Sequence, residues 1–261
     1  MKRTPILLEA ENLPRDLHSL ISGAQIYDSS CSPEARVYFI DKDGGYYLKK
    51  AERGSLATEA LMAEYFHKKG LGASVLSYTS GDYDFLLTER VSGEDCTYAD
   101  YLAEPKRLCD LLGERLRMLH ETDCEDCPVS DRMSGYFSTV ERNASCGIFD
   151  PSFLPEKMKN ITAERALAEI EKSKSRLNSR VLLHGDYCLP NIMLDEWKFS
   201  GFIDLGNGGV GDRHVDLFWG AWTLGFNLGT DEYRSRFFDA YGRDKVDEQA
   251  IATVALAECF G

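Results

Sequence analysis

One stretch, LLHGDYCLPNIMLDEWKFSGFIDLG at 182–206, constrains the fold more than any other part of the chain. Its apolar runs are of strand length and are punctuated by Gly, Pro, Asn and Asp, a pattern that predicts strand, loop, strand, strand. Four polar side chains stand at the ends of those runs: His184, Asp186, Asn191 and Asp204. Asn191 follows Asp186 by five residues, and Asp204 opens an Asp-Leu-Gly turn thirteen residues later. His-Gly-Asp alone is weak, since such turns are common and an Asp after Gly often caps a helix. The compound spacing, with apolar strands between its members, points to a built site.

The two sides of this stretch differ in texture. Between Gln25 and Glu89 the chain is strand-like: AQIYD, ARVYFI, a DKDGG turn, GYYLKK, ASVLSYT and DFLLTE. One helix interrupts these strands at 55–69, where Ser55 is the expected N-cap and Leu56, Ala60, Ala63 and Phe66 recur at helical spacing. After Val91 the pattern turns helical, and 105–121 places Leu108, Leu111, Leu112, Leu116 and Leu119 on one face. Helices are also expected at 164–177, 231–241 and 247–259. The fold class is α+β, with a small antiparallel N-lobe over 1–90 holding one helix, and a mainly helical C-lobe over 91–261.

Composition narrows the partners. The chain has 261 residues and a net charge of −13, which argues against nucleic acid or an anionic membrane. Residues 91–261 carry 19 basic and 30 acidic side chains, against 11 and 13 before them, so a cation is the natural guest of the second half. The ILL run near the N-terminus is too short for a signal peptide, and the apolar stretch at 217–228 is too short for a membrane span. Eight scattered cysteines then read as reduced thiols in a cytoplasmic protein, and the lone Cys124-x-x-Cys127 lacks the second ligand pair of a zinc site. A monomer or weak dimer is expected.

The chemistry follows from the motif. A catalytic loop of the protein-kinase kind has an Asp, then five residues on a metal-binding Asn, then a strand pair delivering a second metal-binding Asp before Gly. Here Asp186 would orient the acceptor hydroxyl and take its proton, while Asn191 and Asp204 would offer oxygen ligands to Mg2+. His184 is expected to hold the loop. No GxxxxGK[ST] occurs, so a P-loop kinase is disfavoured.

HGDYCLPNIML, GFIDLG and GDRHVD together resemble the aminoglycoside 3'-phosphotransferases, a family with a protein-kinase-like bilobal fold. The resemblance covers essentially the whole chain. It implies that Lys49 contacts the α- and β-phosphates and pairs with Glu59, that Tyr47 stacks on adenine, and that Ser32 lies near the triphosphate. It also makes Glu89 and Val91 part of the hinge that reads adenine. For the acceptor it implies Asp150, Glu156, Glu258 and the Gly261 carboxylate as holders of ammonium groups. The chain departs from the family where Asn207 replaces a common Arg, Ala257 a common Asp, and Phe260 is not terminal.

The implied cofactors are ATP, with GTP possible, and Mg2+, and the implied substrate is a cationic aminoglycoside. Two further readings stay open: a related kinase for another amine-bearing or sugar metabolite, and a nucleotide-binding pseudokinase.

Overall fold

The computed structural model describes residues 3–9 and 13–261. In chain order the strands and α-helices are β1 (Thr4–Ile6), α1 (His18–Ile21), β2 (Gln25–Asp28), β3 (Ala35–Asp41), β4 (Tyr46–Glu52), α2 (Ala57–Lys68), β5 (Val75–Ser80), β6 (Tyr83–Glu89) and β7 (Glu94–Asp95). They continue as α3 (Ala99–Leu102), α4 (Pro105–Glu121), α5 (Arg132–Ser145), α6 (Ala163–Ser173), β8 (Val181–Leu183), β9 (Ile192–Asp195), β10 (Lys198–Phe202), β11 (Gly209–Gly211), α7 (His214–Leu228), α8 (Arg234–Tyr241) and α9 (Glu248–Glu258).

Two compact units emerge, and they are not the continuous halves 1–90 and 91–261 that the sequence suggests. The first runs to Asp95 and also takes in Pro190–Gly206; the second comprises Cys96–Leu189 and Asn207–Gly261. The physical reason is hydrogen bonding. Strand β9 pairs with both β10 and β7, and the Phe202 amide donates to Leu71 O at 2.8 Å, so the segment holding Asn191 and Asp204 is stitched to the sheet unit.

The first unit is built on an antiparallel sheet in the order β1-β2-β3-β4-β6-β5. Strand β1 is an addition to the five strands legible in the sequence, because three residues carry too little alternation to be recognised. Strand alternation sorts the faces. Leu48 on β4 packs with Ile26, Ile40, Phe85 and Leu87, beneath Leu13, Leu17 and Ile21. The opposite face presents Ala35, Ala51 and Leu86 to Leu56 and Ala60 at the start of α2. Tyr47 and Lys49 share that second face by parity, with Lys49 opposite Leu86 in the β4–β6 register.

Helix α2 begins at Ala57, and Ser55 does not cap it: its hydroxyl donates to Glu52 O at 2.6 Å. The cap comes from another strand. Asp84 on β6 is fully buried and accepts the Leu56 amide at 3.0 Å, the Tyr78 hydroxyl at 2.9 Å and the Ser80 hydroxyl at 2.6 Å. Burial pushes its carboxyl up, but donors from Gly54, Ser80, Leu56 and Tyr78 outweigh that and hold it at about 2.

In the second unit α4 buries Leu108, Leu112, Leu116 and Leu119 as its leucine spacing requires. At Gly113 it crosses α8 so closely that a Cβ would lie 2.6 Å from Phe237 O. Helices α5 and α7 went unread. The first does carry Met133, Tyr136, Phe137 and Val140 at helical spacing and was legible, whereas the second, apolar on nearly every side, has no solvent face to set its period. No helix among the described residues is long and apolar enough to cross a membrane.

Asp84→Ala is expected to lower unfolding stability by about 2–4 kcal/mol, through lost charge-assisted bonds and a lost cap. Because the folded pKa is depressed, the carboxylate's contribution is present above the ordinary carboxyl range and lost as pH falls toward 2. Urea titrations of wild type and variant should therefore diverge at neutral pH and converge in acid; equal midpoints at pH 7 would remove Asp84 from this role.

Candidate active site

The first unit contains a cavity of about 240 Å³ whose walls include Ala35, Val37, Leu86, Val91, Met193 and Ile203. Every nucleotide and metal residue expected from the sequence lines it: Ser32, Tyr47, Lys49, Glu59, Glu89, Val91, Asn191 and Asp204. Tyr47 is fixed from behind, its hydroxyl accepting from Arg3 at 2.9 Å and its ring packed on Phe39 at 5.2 Å. At the end of β6 the Glu89 amide donates to Ser74 O and the Arg90 amide to Gly45 O. The Val91 amide donates to no backbone oxygen among the described residues, which leaves it able to read a ligand edge.

Lys49 is the electrostatic centre of this half. Its ammonium donates to Glu59 Oε2 at 2.7 Å and to Asp204 Oδ1 at 2.8 Å. Burial acts to lower its pKa, but the Asp204 and Glu59 charges more than compensate, so it lies above the ordinary lysine value. The Glu59 carboxyl is raised, chiefly by burial and then by Asp204, with Lys49 offsetting only part. Two carboxylates share one cation, and all three side chains line the cavity.

Asp204 sits at φ 59°, in the left-handed region that most side chains avoid, and half of its side chain is exposed. Asn191 is buried, and its carbonyl accepts the Ile203 amide at 3.0 Å, which ties the two oxygen donors together. One carboxylate and one amide oxygen fit Mg2+, a hard cation that usually takes one or two protein ligands and completes its shell with phosphate oxygens and water.

In the second unit the loop bearing Asp186 is hung from α7. Asp216 is fully buried and accepts the His184 amide at 2.8 Å and the Gly185 amide at 2.7 Å. Its third donor is His120 Nε2 at 3.1 Å, while His120 Nδ1 bonds the Tyr241 hydroxyl at 2.8 Å. Burial lowers the His120 pKa, so the ring is neutral and can donate from one nitrogen while accepting at the other. Gly185 is required here: φ is +83°, and a Cβ would fall 1.9 Å from Asn207 O. The Asp186 amide donates to His184 Nδ1 at 3.3 Å, which gives His184 the loop-holding place expected of it.

Of the acceptor residues, Glu258 stands beside Asp186 in electrostatic terms. It is buried, accepts the Tyr136 hydroxyl at 2.8 Å and a bond from Trp219, and feels the charges of Asp186 and Arg132. Gly261 folds back on it, a Cβ there lying 3.2 Å from Glu258 Oε2. Asp150 joins them through its backbone, the amide donating to Cys259 O at 2.7 Å, while its carboxylate is occupied by Ser152. Glu156 is 89% exposed at its side chain and pairs with Lys159 at 2.8 Å, so no bond ties it to Glu258.

Sequence reasoning missed Arg132 and Tyr136, both on α5. Arg132 Nη2 donates to Asn207 Oδ1 at 2.7 Å, which brings a guanidinium to the position after Asp-Leu-Gly where the resembled family has its own arginine. No local pattern announces this, because the two partners lie 75 residues apart.

Comparison with known proteins agrees with the geometry. Residues 32–253 match the model of the phosphotransferase enzyme family. A probable aminoglycoside 3'-phosphotransferase of Lactococcus lactis is 54% identical over 97% of each chain. The crystal structure of a type VIII aminoglycoside-3'-phosphotransferase superposes with a TM-score of 0.81 at 26% identity, covering 95% of this chain and 97% of that one. An aminoglycoside phosphotransferase of Streptomyces rimosus, solved with ADP and streptomycin, gives 0.73 at 26% identity over 86% and 90%. These likenesses bear out the α+β, protein-kinase-like fold expected from the motif.

Glu258 generates a pH test. Burial raises its carboxyl first, and repulsion from Asp186 adds to this; the Tyr136 and Trp219 bonds and Arg132 oppose them, leaving it at about 7. With a folded pKa above the unfolded one, the acid costs nothing below the ordinary carboxyl range, and its ionisation penalty grows as pH rises to 7 and is complete above it. Relative to Glu258→Gln, the wild type should lose about 3 kcal/mol of stability between pH 4.5 and 8. Parallel stability profiles for the two proteins would show that the carboxyl titrates normally.

Proposed function

Because the chain belongs to the phosphotransferase enzyme family, we propose that it is an ATP-dependent aminoglycoside 3'-phosphotransferase, which transfers the γ-phosphoryl group to the 3'-hydroxyl of kanamycin-like antibiotics and so confers resistance. The observation that carries this reading is Lys49 held between Glu59 and Asp204 at the wall of an apolar cavity that Asn191 also lines. The Val37, Leu86, Val91 and Ile203 side chains suit a purine, on which the Tyr47 ring, also in the cavity wall, would stack. Lys49 then meets the phosphates. Asn191 and Asp204 would hold Mg2+, which when bound neutralises charge on the β- and γ-phosphates.

Asp186 orients the acceptor hydroxyl and takes its proton as the oxygen attacks the γ-phosphorus and the bond to the β-phosphate oxygen breaks. Asp216 acts through the loop, keeping Asp186 in place with two amide bonds rather than touching substrate. Glu258 supplies negative charge for the acceptor's ammonium groups, and Asp150 adds to it. Cation binding pulls the Glu258 proton off. The net charge of −13 favours such a substrate over nucleic acid or an anionic membrane. Eight cysteines scattered along the chain suit a reducing, cytoplasmic setting.

Coupled measurement of ADP release, with Mg2+ and ATP, tests the reading. Kanamycin should be turned over, and tobramycin, which lacks the 3'-hydroxyl, should bind without being phosphorylated there. Asp186→Asn should lower kcat by about a hundred- to ten-thousandfold while ADP affinity stays near that of wild type. An enzyme that ignores every aminoglycoside would lose the substrate assignment, and an Asp186→Asn variant with undiminished kcat would lose the catalytic one.

A further inference from the structure

Helix α7 carries a row of aromatic rings that the phosphoryl-transfer machinery does not use. Trp219 and Trp222 meet edge to face at 5.5 Å, and Trp222 stacks on Phe226 at 5.1 Å with their planes 12° apart. Phe153, from the turn after Asp150, touches both tryptophans at 5.6 Å. The row has two unlike ends. At one, Trp219 donates its indole N–H to Glu258, the carboxyl that feels the charge of Asp186. At the other, Phe226 is 72% exposed.

Core packing does not explain the outer end of this row: Phe153, Trp219 and Trp222 are half-buried, but Phe226 is left mostly in water and gains little from burial. Its position is set by the same helix that holds the catalytic loop: Asp216 grips the His184 and Gly185 amides, and Thr223 Oγ1 accepts the Leu189 amide at 3.2 Å. Trp219 and Trp222 therefore start next to the catalytic loop and lead away from it. Indole faces attract ammonium groups and also pack against the apolar C–H face of a saturated ring. A carboxyl at one end and tryptophan faces beyond it are matched to a ligand whose rings are both cationic and flat-sided.

We propose that Phe153, Trp219, Trp222 and Phe226 form an aromatic platform that extends the acceptor site outward from Glu258 and receives an ammonium-bearing ring of the aminoglycoside beyond the ring that is phosphorylated. The inference rests on the aminoglycoside reading above and makes the platform a determinant of acceptor range. A three-ring acceptor covers it, whereas a two-ring acceptor leaves its outer end in water. Carboxylates alone would discriminate by charge; the platform adds discrimination by length.

The test compares kanamycin with the two-ring neamine in wild type, Phe226→Ala and Trp222→Leu. Phe226→Ala sits at an exposed position and keeps the experiment independent of any folding defect in the tryptophan variant. Both variants should raise KM for kanamycin about three- to thirtyfold, leave KM for ATP and kcat unchanged, and affect neamine much less. In parallel, kanamycin is titrated into Trp197→Phe protein without nucleotide, where indole fluorescence reports Trp219 and Trp222 alone. A change in emission that weakens in Trp197→Phe/Phe226→Ala supports the platform. Wild-type turnover of kanamycin with unaltered KM in both variants and no emission change overturns the platform and leaves the function standing. If no aminoglycoside is turned over, the function fails instead, and the fluorescence still decides the platform: a change keeps it as a polycation surface, and no change removes it.

Discussion

A single buried carboxylate organises the catalytic half of this protein. Asp216 accepts two consecutive backbone amides, from His184 and Gly185, and a neutral imidazole from His120. A carboxyl group out of water is tolerable only when its lone pairs are satisfied, and here three N–H donors from two segments do so. The consequence is conformational. The chain between β8 and Asp186 must turn through a left-handed residue close against Asn207, and only Gly185 permits it. The same helix lends Thr223 to the Leu189 amide, so both ends of the loop bearing Asp186 are pinned to one rigid element.

On the proposed reading the sheet unit faces a different problem, which is to offer Lys49 to phosphates while two carboxylates hold its ammonium. Lys49 is reached by strand parity and Glu59 by helix placement, and the helix is positioned by Asp84, not by its own first residues. Asp204 competes for the same ammonium at 2.8 Å. Three charges of which two are negative leave an excess of negative charge, which a divalent cation such as Mg2+ would offset when bound with the phosphates.

How much of this the sequence disclosed depended on whether the signal was local. HGDxxxxN and Asp-Leu-Gly carry their spacing within one stretch, so Asp186, Asn191 and Asp204 could be read directly. The leucines of α4 and the strands from β2 to β6 were legible for the same reason, because periodicity is a local property. What escaped was long-range. The capping of α2 by Asp84, the service of Arg132 to Asn207 and the bond from Tyr136 to Glu258 join segments whose proximity no window reveals. The attachment of Pro190–Gly206 to the sheet unit escaped likewise, since strand pairing with β7 and the Leu71–Phe202 bond decide it. Glu156 shows the opposite hazard: an acidic residue in the expected region that the fold leaves in solvent beside Lys159.

The regiochemistry of the product tests the central claim most directly. Kanamycin incubated with the protein, Mg2+ and ATP should yield a monophosphate whose phosphorus couples, in a two-dimensional 31P–1H NMR spectrum, to the proton on the 3'-carbon. Coupling to a different ring position, or ADP formed with no phosphorylated sugar, would contradict the account.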